Sequence, residues 1–88
     1  MHTLDLMEQA VEAARAMGYG VRREWLGGAS GGRCEFGGRR WIFLDLSLNQ
    51  LEQLDQLRDA LATAPERFSV ALGGTIEAFL GEDRRAAA

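Results

Sequence analysis

The sequence predicts an α+β domain: an N-terminal helix, a three-stranded antiparallel sheet in meander order, a leucine-rich helix packed on one face of it, and a short C-terminal helix. Three observations carry this reading. Leu48, Leu51, Leu54, Leu57 and Leu61 recur at spacings of three and four, the period of one helix face. Leu4, Met7, Val11, Ala14 and Met17 do the same near the start. Between them lies "GGASGGRCEFGGRRWIFLDL", residues 27 to 46, which holds six of the chain's eleven glycines and reads as strands joined by turns. A chain of 88 residues has interior for one domain, placed at 1–81, with the aperiodic "EDRRAAA" of 82–88 read as a disordered tail.

In chain order, the first helix is expected from Leu4 to Met17, with Thr3 or Asp5 at its cap and Gly18 ending it. "VRREWL", residues 21–26, alternates as a strand does. Gly37 and Gly38 form a two-residue hairpin loop of the primed type, which sets Phe36 against Arg39, Glu35 against Arg40, Cys34 against Trp41 and Arg33 against Ile42. Glu35 and Arg40 then form a cross-strand charge pair. Cys34, Phe36, Arg39, Trp41 and Phe43 share one face; Arg33, Glu35, Arg40, Ile42, Leu44 and Leu46 share the other. "WIFLDL" is therefore apolar on both faces, as in a strand covered on both sides. Ile42, Leu44 and Leu46 are assigned to the helices and the Trp41 and Phe43 face is left partly open, with the reverse assignment as the alternative.

Ser47, with Gln50 three residues on, gives a capping-box start to a helix reaching about Thr63, where Pro65 stops it. "RFSVAL" then reads as extended, Gly73 and Gly74 as a break, and Thr75 as the cap of a short helix "IEAFLGE"; one continuous helix from Pro65 to Leu80 is the competing reading.

Composition narrows the functional classes. A domain this small buries roughly 60% of its unfolded surface, so a partner or a second copy is a natural supplement to stability. One cysteine cannot close an intramolecular disulfide, which fits a reducing, cytoplasmic setting. His2 and Cys34 are the only strong nitrogen and sulfur ligands, too few for zinc, and no cofactor is expected. No apolar run reaches the roughly 18 residues of a membrane helix, and the acids among the first residues are foreign to a signal peptide. All ten basic residues are arginine, the composition of a GC-rich bacterial genome. Residues 21–40 carry an excess of three positive charges on a chain of net −3. That overall sign disfavours general nucleic-acid binding; the alternative reading is a small binder of an anionic ligand or a nucleic-acid backbone through the arginine cluster.

Catalytic patterns are missing. "GGASGG" lacks the Lys-Ser/Thr pair and following helix of a phosphate loop, and no helix opens on it to receive a dinucleotide. The only histidine that could pair with Cys34 is His2, near the start of the chain, and Cys34 reads as a buried packing cysteine. Glu52, Asp55 and Asp59 fall opposite the leucines, on a solvated face. Asp45 ends an apolar strand and closes the turn to the next helix, with ligand orientation as the alternative. No enzyme activity is expected.

"GGRCEFGGRRWIFLDLS" followed by "LEQLDQLRDAL", about residues 27–61, resembles small bacterial proteins of similar length with a glycine-rich hairpin, a strand ending in aspartate and an "EQLxxL" helix. That resemblance implies the fold and no catalytic residue. The hairpin-then-helix layout is also similar to compact zinc metallopeptidases; the matching helix, "LDQLRDALA", has none of their ligands, so it implies an inactive scaffold at most. The functional expectation is a non-enzymatic interaction or accessory protein. Trp25, Trp41 and Phe43 are its anchors and Arg23, Arg39 and Arg40 orient the partner, which is a second copy or another protein, with no small-molecule substrate.

Overall fold

The apolar stripes and the hairpin organise a two-layer α+β structure in the computed structural model, which describes residues 3–28 and 31–87, with side chains from 5 to 28 and from 31 to 81. The elements are α1 (Thr3–Ala16), β1 (Gly20–Glu24), β2 (Gly32–Phe36), β3 (Arg39–Asp45), α2 (Gln50–Ala62), a 3-10 helix (Pro65–Phe68) and α3 (Gly74–Ala87). α3 thus runs on into the segment read as a tail, whose side chains lie outside the described residues. α2 packs on β3 and β2, α1 on β1 and α2, and α3 on α1 and α2. Met7, Ala10 and Ala14 of α1, with Met17 just after it, meet Leu54, Leu57 and Leu61 of α2 over Ile42 and Leu44 of β3, with Ile76, Phe79 and Leu80 closing the far side. The alanines matter here because small side chains let two helices approach closely.

The sheet is not the expected meander. Its order is β1-β3-β2, with β1 parallel and β2 antiparallel to β3. The hairpin register is as expected, from Phe36 opposite Arg39 to Arg33 opposite Ile42. β1 has moved to the other side of β3, with Val21 opposite Ile42 and Glu24 opposite Asp45. Neighbouring strands lie about 4.8 Å apart, so the chain must cross about 9.6 Å between the edges. A tight turn cannot do that. The connection from Glu24 to Gly32 is long enough, and its Leu26 and Gly28 are held at the C-terminal end of β3 by Asp45. This makes β3 the central strand, paired along both edges.

Asp45 holds that crossing in place. Its side chain is fully buried, yet its carboxylate accepts four hydrogen bonds. Oδ1 accepts from Leu26 N–H at 3.0 Å, Ser47 N–H at 2.9 Å and the Ser47 hydroxyl at 2.7 Å, and Oδ2 accepts from Gly28 N–H at 2.8 Å. Gly28 reaches it with φ of +89°, a backbone angle that side chains disfavour. Burial alone raises the pKa of a carboxyl; here the bonds from Ser47, Gly28 and Leu26 outweigh it and hold Asp45 at about 2. The backbone N–H of Asp45 donates to Gln56 Oε1 at 2.9 Å, joining the same point to α2. Asp45 therefore does close the turn to the helix, and it fixes the β1–β2 connection as well.

That role displaces the expected helix cap. Ser47 is spent on Asp45, so α2 begins two residues later with Asn49 as its cap: Asn49 Oδ1 accepts from Glu52 N–H at 2.9 Å and Glu52 Oε1 accepts from Asn49 N–H at 3.0 Å. Leu46 and Leu51 consequently leave the interior, at 43% and 62% exposed. The expected extended segment after Pro65 is also corrected. Proline at the first position starts a 3-10 turn, Arg67 is drawn inward to Glu77 of α3 at 2.9 Å, and Phe68 is turned out to 74% exposure.

Asp45→Asn keeps the shape but replaces acceptor lone pairs with an amide N–H₂ facing N–H donors. It is expected to lower the thermal midpoint by roughly 10 °C or more in scanning calorimetry, against a few degrees for Asp59→Asn on the exposed side of α2.

Candidate functional site

Because the helices occupy the Ile42 and Leu44 side, the opposite face of the sheet carries a layer of its own. Residues sharing a register in adjacent strands share a face, so β1 contributes Gly20, Arg22 and Glu24, β3 contributes Arg39, Trp41 and Phe43, and β2 contributes Cys34 and Phe36. The rings stack. Phe36 lies 6.0 Å from Trp41 and 6.1 Å from Phe43 between centroids, with interplanar angles of 24° and 8°. Two guanidinium groups sit over the indole of Trp41, Arg39 at 4.9 Å and Arg22 at 5.6 Å from its centroid. Arg22 also pairs with Glu24 at 2.9 Å.

Trp41 lies flat because Gly20 is beneath it. A Cβ at position 20 would come within 2.6 Å of Trp41 Cζ3, so any side chain there must lift the ring. Trp41 and Phe43 are half-buried in this arrangement, while Phe36 is 49% and Trp25 74% exposed. Arg22, Glu24, Trp25, Leu26, Phe36 and Phe43 line an open cleft at the edge of the layer. Together these side chains form an amphipathic surface, flat and aromatic, with cations held above one ring.

Of the residues singled out in the sequence, Trp41, Phe43 and Arg39 come together here, and Trp25 borders them from the loop after β1. Arg23 and Arg40 do not. The parallel register sets Arg23 against Leu44 on the helix side of the sheet, where it lines a cleft with Met7, Val11 and Gln50. Arg40 is turned toward the 3-10 helix. Its pairing with Glu35 is correct in register, but its guanidinium is engaged by Glu66 and lies 5.0 Å from the centroid of the Tyr19 ring. It also donates to Met17 O at 3.3 Å. Sequence reasoning missed Arg22, which the position of β1 alone brings in, and left Phe36 out of the anchors although the hairpin register had placed it on this face.

The Tyr19, Arg40 and Glu66 group is a clasp. The buried Tyr19 hydroxyl donates to Glu66 Oε1 at 2.7 Å. Burial, then the neighbouring Glu66, push the tyrosine pKa up, so it stays protonated and is no base. Glu66 is shifted down, first by the Tyr19 hydroxyl and then, against its burial, by Arg40. The group ties the 3-10 helix to the start of the sheet.

The expected burial of Cys34 is corrected: it is exposed, on β2, an edge strand that among the described residues has no strand beyond it. Arg33 donates to Thr63 O at 3.1 Å, so the five arginines of 21–40 are dispersed over both faces instead of forming one patch. Glu52, Asp55 and Asp59 are exposed on α2 as expected. His2 lies outside the described residues, among which no group of three or more His, Cys, Asp or Glu side chains could hold a metal. Among the same residues no helix is long and apolar enough to cross a membrane.

In comparisons with known proteins, no family model, no curated protein and no solved structure matches the chain. Neither resemblance drawn from the hairpin therefore gains a family through which activity could be assigned.

Gly20→Ala tests the geometry of the layer. Measured in a Trp25→Phe background, where Trp41 is the sole indole, it is expected to increase acrylamide quenching of Trp41 and to destabilise the domain by about 1–3 kcal/mol. Unchanged quenching would mean that the ring does not rest on Gly20.

Proposed function

We propose that this chain is a non-enzymatic protein-interaction domain of the cytoplasm, and that a protein partner docks on the outer face of its sheet. The observation that carries the reading is the aromatic layer itself. Trp25, Phe36, Trp41 and Phe43 are gathered on the side of the sheet that the helices leave open, with Arg22 and Arg39 stacked on Trp41. Aromatic and arginine side chains dominate the energetics of protein interfaces because they combine large apolar area with few rotatable bonds lost or with a directional cation. Trp25 and Phe36 are the anchors with most surface left to bury. Arg39 and Arg22, exposed and stacked on the indole, would orient an acidic or carbonyl-rich strip of the partner. A binder of anions through a shared arginine cluster has less support, since Arg23, Arg33 and Arg40 face away from Arg22 and Arg39.

Site-specific photocross-linking tests this. With benzoylphenylalanine at position 25, irradiation in cells of the source organism is expected to give a discrete protein adduct that Phe36→Ala weakens by roughly tenfold, consistent with loss of an anchor worth 1–2 kcal/mol. The same group at position 59 is expected to give none. Equal adducts from both positions, or none from position 25, would overturn the assignment of this face.

A further inference from the structure

The edge strand β2 carries a pattern that the outer face does not account for. In a two-residue hairpin the residues flanking the loop form a hydrogen-bonded pair, so Phe36, Cys34 and Gly32 direct their N–H and C=O groups toward β3. Arg33 and Glu35 therefore direct theirs to the free side. β2 is the last strand of the sheet, it has no proline or bulge, and four of its five residues are exposed. An edge of this kind is open to pairing with another strand.

We propose that this edge pairs with β2 of a second copy, antiparallel and centred on Cys34, joining two three-stranded sheets into one of six strands. Charge and size select the register. With Cys34 opposite Cys34 of the second copy, Arg33 faces Glu35 of that copy and Glu35 faces its Arg33, so two opposite-charge pairs form across the two-fold axis. The same residues present the outward backbone groups, so each Arg33–Glu35 pair exchanges two N–H to C=O hydrogen bonds and Cys34 falls on a non-hydrogen-bonded pair. Sliding by two residues either way sets Arg33 against Arg33 or Glu35 against Glu35. Both alternatives oppose like charges with the same backbone bonding.

The outer side fits as well. In the centred register Phe36 lies opposite Gly32 of the second copy, which has no side chain to obstruct the ring, and its 49% exposure falls as the two aromatic layers become continuous. Edge pairing leaves Trp25, Trp41 and Phe43 on the outer face and shares only Phe36 with the proposed docking surface.

Charge reversal tests the register. By sedimentation velocity over a wide concentration range, the wild-type chain is expected to dimerise, and Arg33→Glu or Glu35→Arg alone to raise the dissociation constant on the order of tenfold or more. The double variant, R33E with E35R, regenerates both pairs and is expected to return within about threefold of wild type. Arg33 also donates to Thr63 O, so folding is checked by circular dichroism and Glu35→Arg serves as the variant free of that contact. On the unaltered chain, diamide is expected to link Cys34 to Cys34 of the second copy: the two thiols give up their protons and two electrons to the diamide, forming one S–S bond. Non-hydrogen-bonded pairs place Cα atoms about 4.5 Å apart, within disulfide range. A monomer at all concentrations, single variants that dimerise like wild type, or a dimer lost in Trp25→Ala but kept under charge reversal would each overturn the edge pairing. The last result would place self-association on the docking face instead.

Discussion

The interaction on which the rest of the structure depends is the buried carboxylate of Asp45. A bare charge in that position would cost more than a small domain can supply, and it is tolerated only because four N–H and O–H donors converge on it. Two of those donors belong to the loop leaving β1, and two belong to the turn leaving β3. The carboxylate thus clamps two chain segments distant in sequence at one end of the central strand. Gln56 adds α2 to the same point through the backbone of Asp45.

From this clamp the outer face follows. Only a chain that crosses the end of β3 can put β1 on its far side, and only β1 in that place supplies Gly20 under Trp41 and Arg22 above it. β2 supplies Phe36 from the other side. Trp41 and Phe43 thereby gain neighbours on both flanks, and a row of aromatic side chains is held flat without a helix above it. At the opposite end of the sheet the part-buried Tyr19, Glu66 and Arg40 clasp fixes the start of β1 and the 3-10 helix, so hydrogen-bonded polar groups pin the sheet at both ends.

The parts that could be read from the sequence are those governed by local rules. Gly37 and Gly38 determine a hairpin register by themselves, because a two-residue turn leaves one way to pair the flanking strands, and that register also placed Phe36, Trp41 and Phe43 on one face. The leucine period gave α2, and Ile42 and Leu44 were correctly assigned to its side. The position of β1 was not legible, since alternation says that a strand exists and nothing about which neighbour it takes. Asp45 looked like the end of a strand; that its carboxylate would reach back to Leu26 and Gly28 depends on a fold not yet formed. The same acid removed Ser47 from the helix cap and handed that role to Asn49, whose box with Glu52 has the same spacing two residues later. Arg40 was drawn from Glu35 by Glu66, a competitor 26 residues away.

Asp45 is buried yet held as a carboxylate by its hydrogen bonds, and a carbon-13 NMR titration of its side-chain carboxyl in the folded protein tests this directly. The folded value of about 2 lies below the ordinary 3.8, so the charge contributes its full stability above the ordinary value and that contribution is lost as pH falls through about 2. The Cγ shift is expected to stay at its carboxylate position through pH 4 and to move only near 2. A midpoint at 4 or above would mean that the four hydrogen bonds do not offset burial, and that something other than this carboxylate holds β1 across the end of β3.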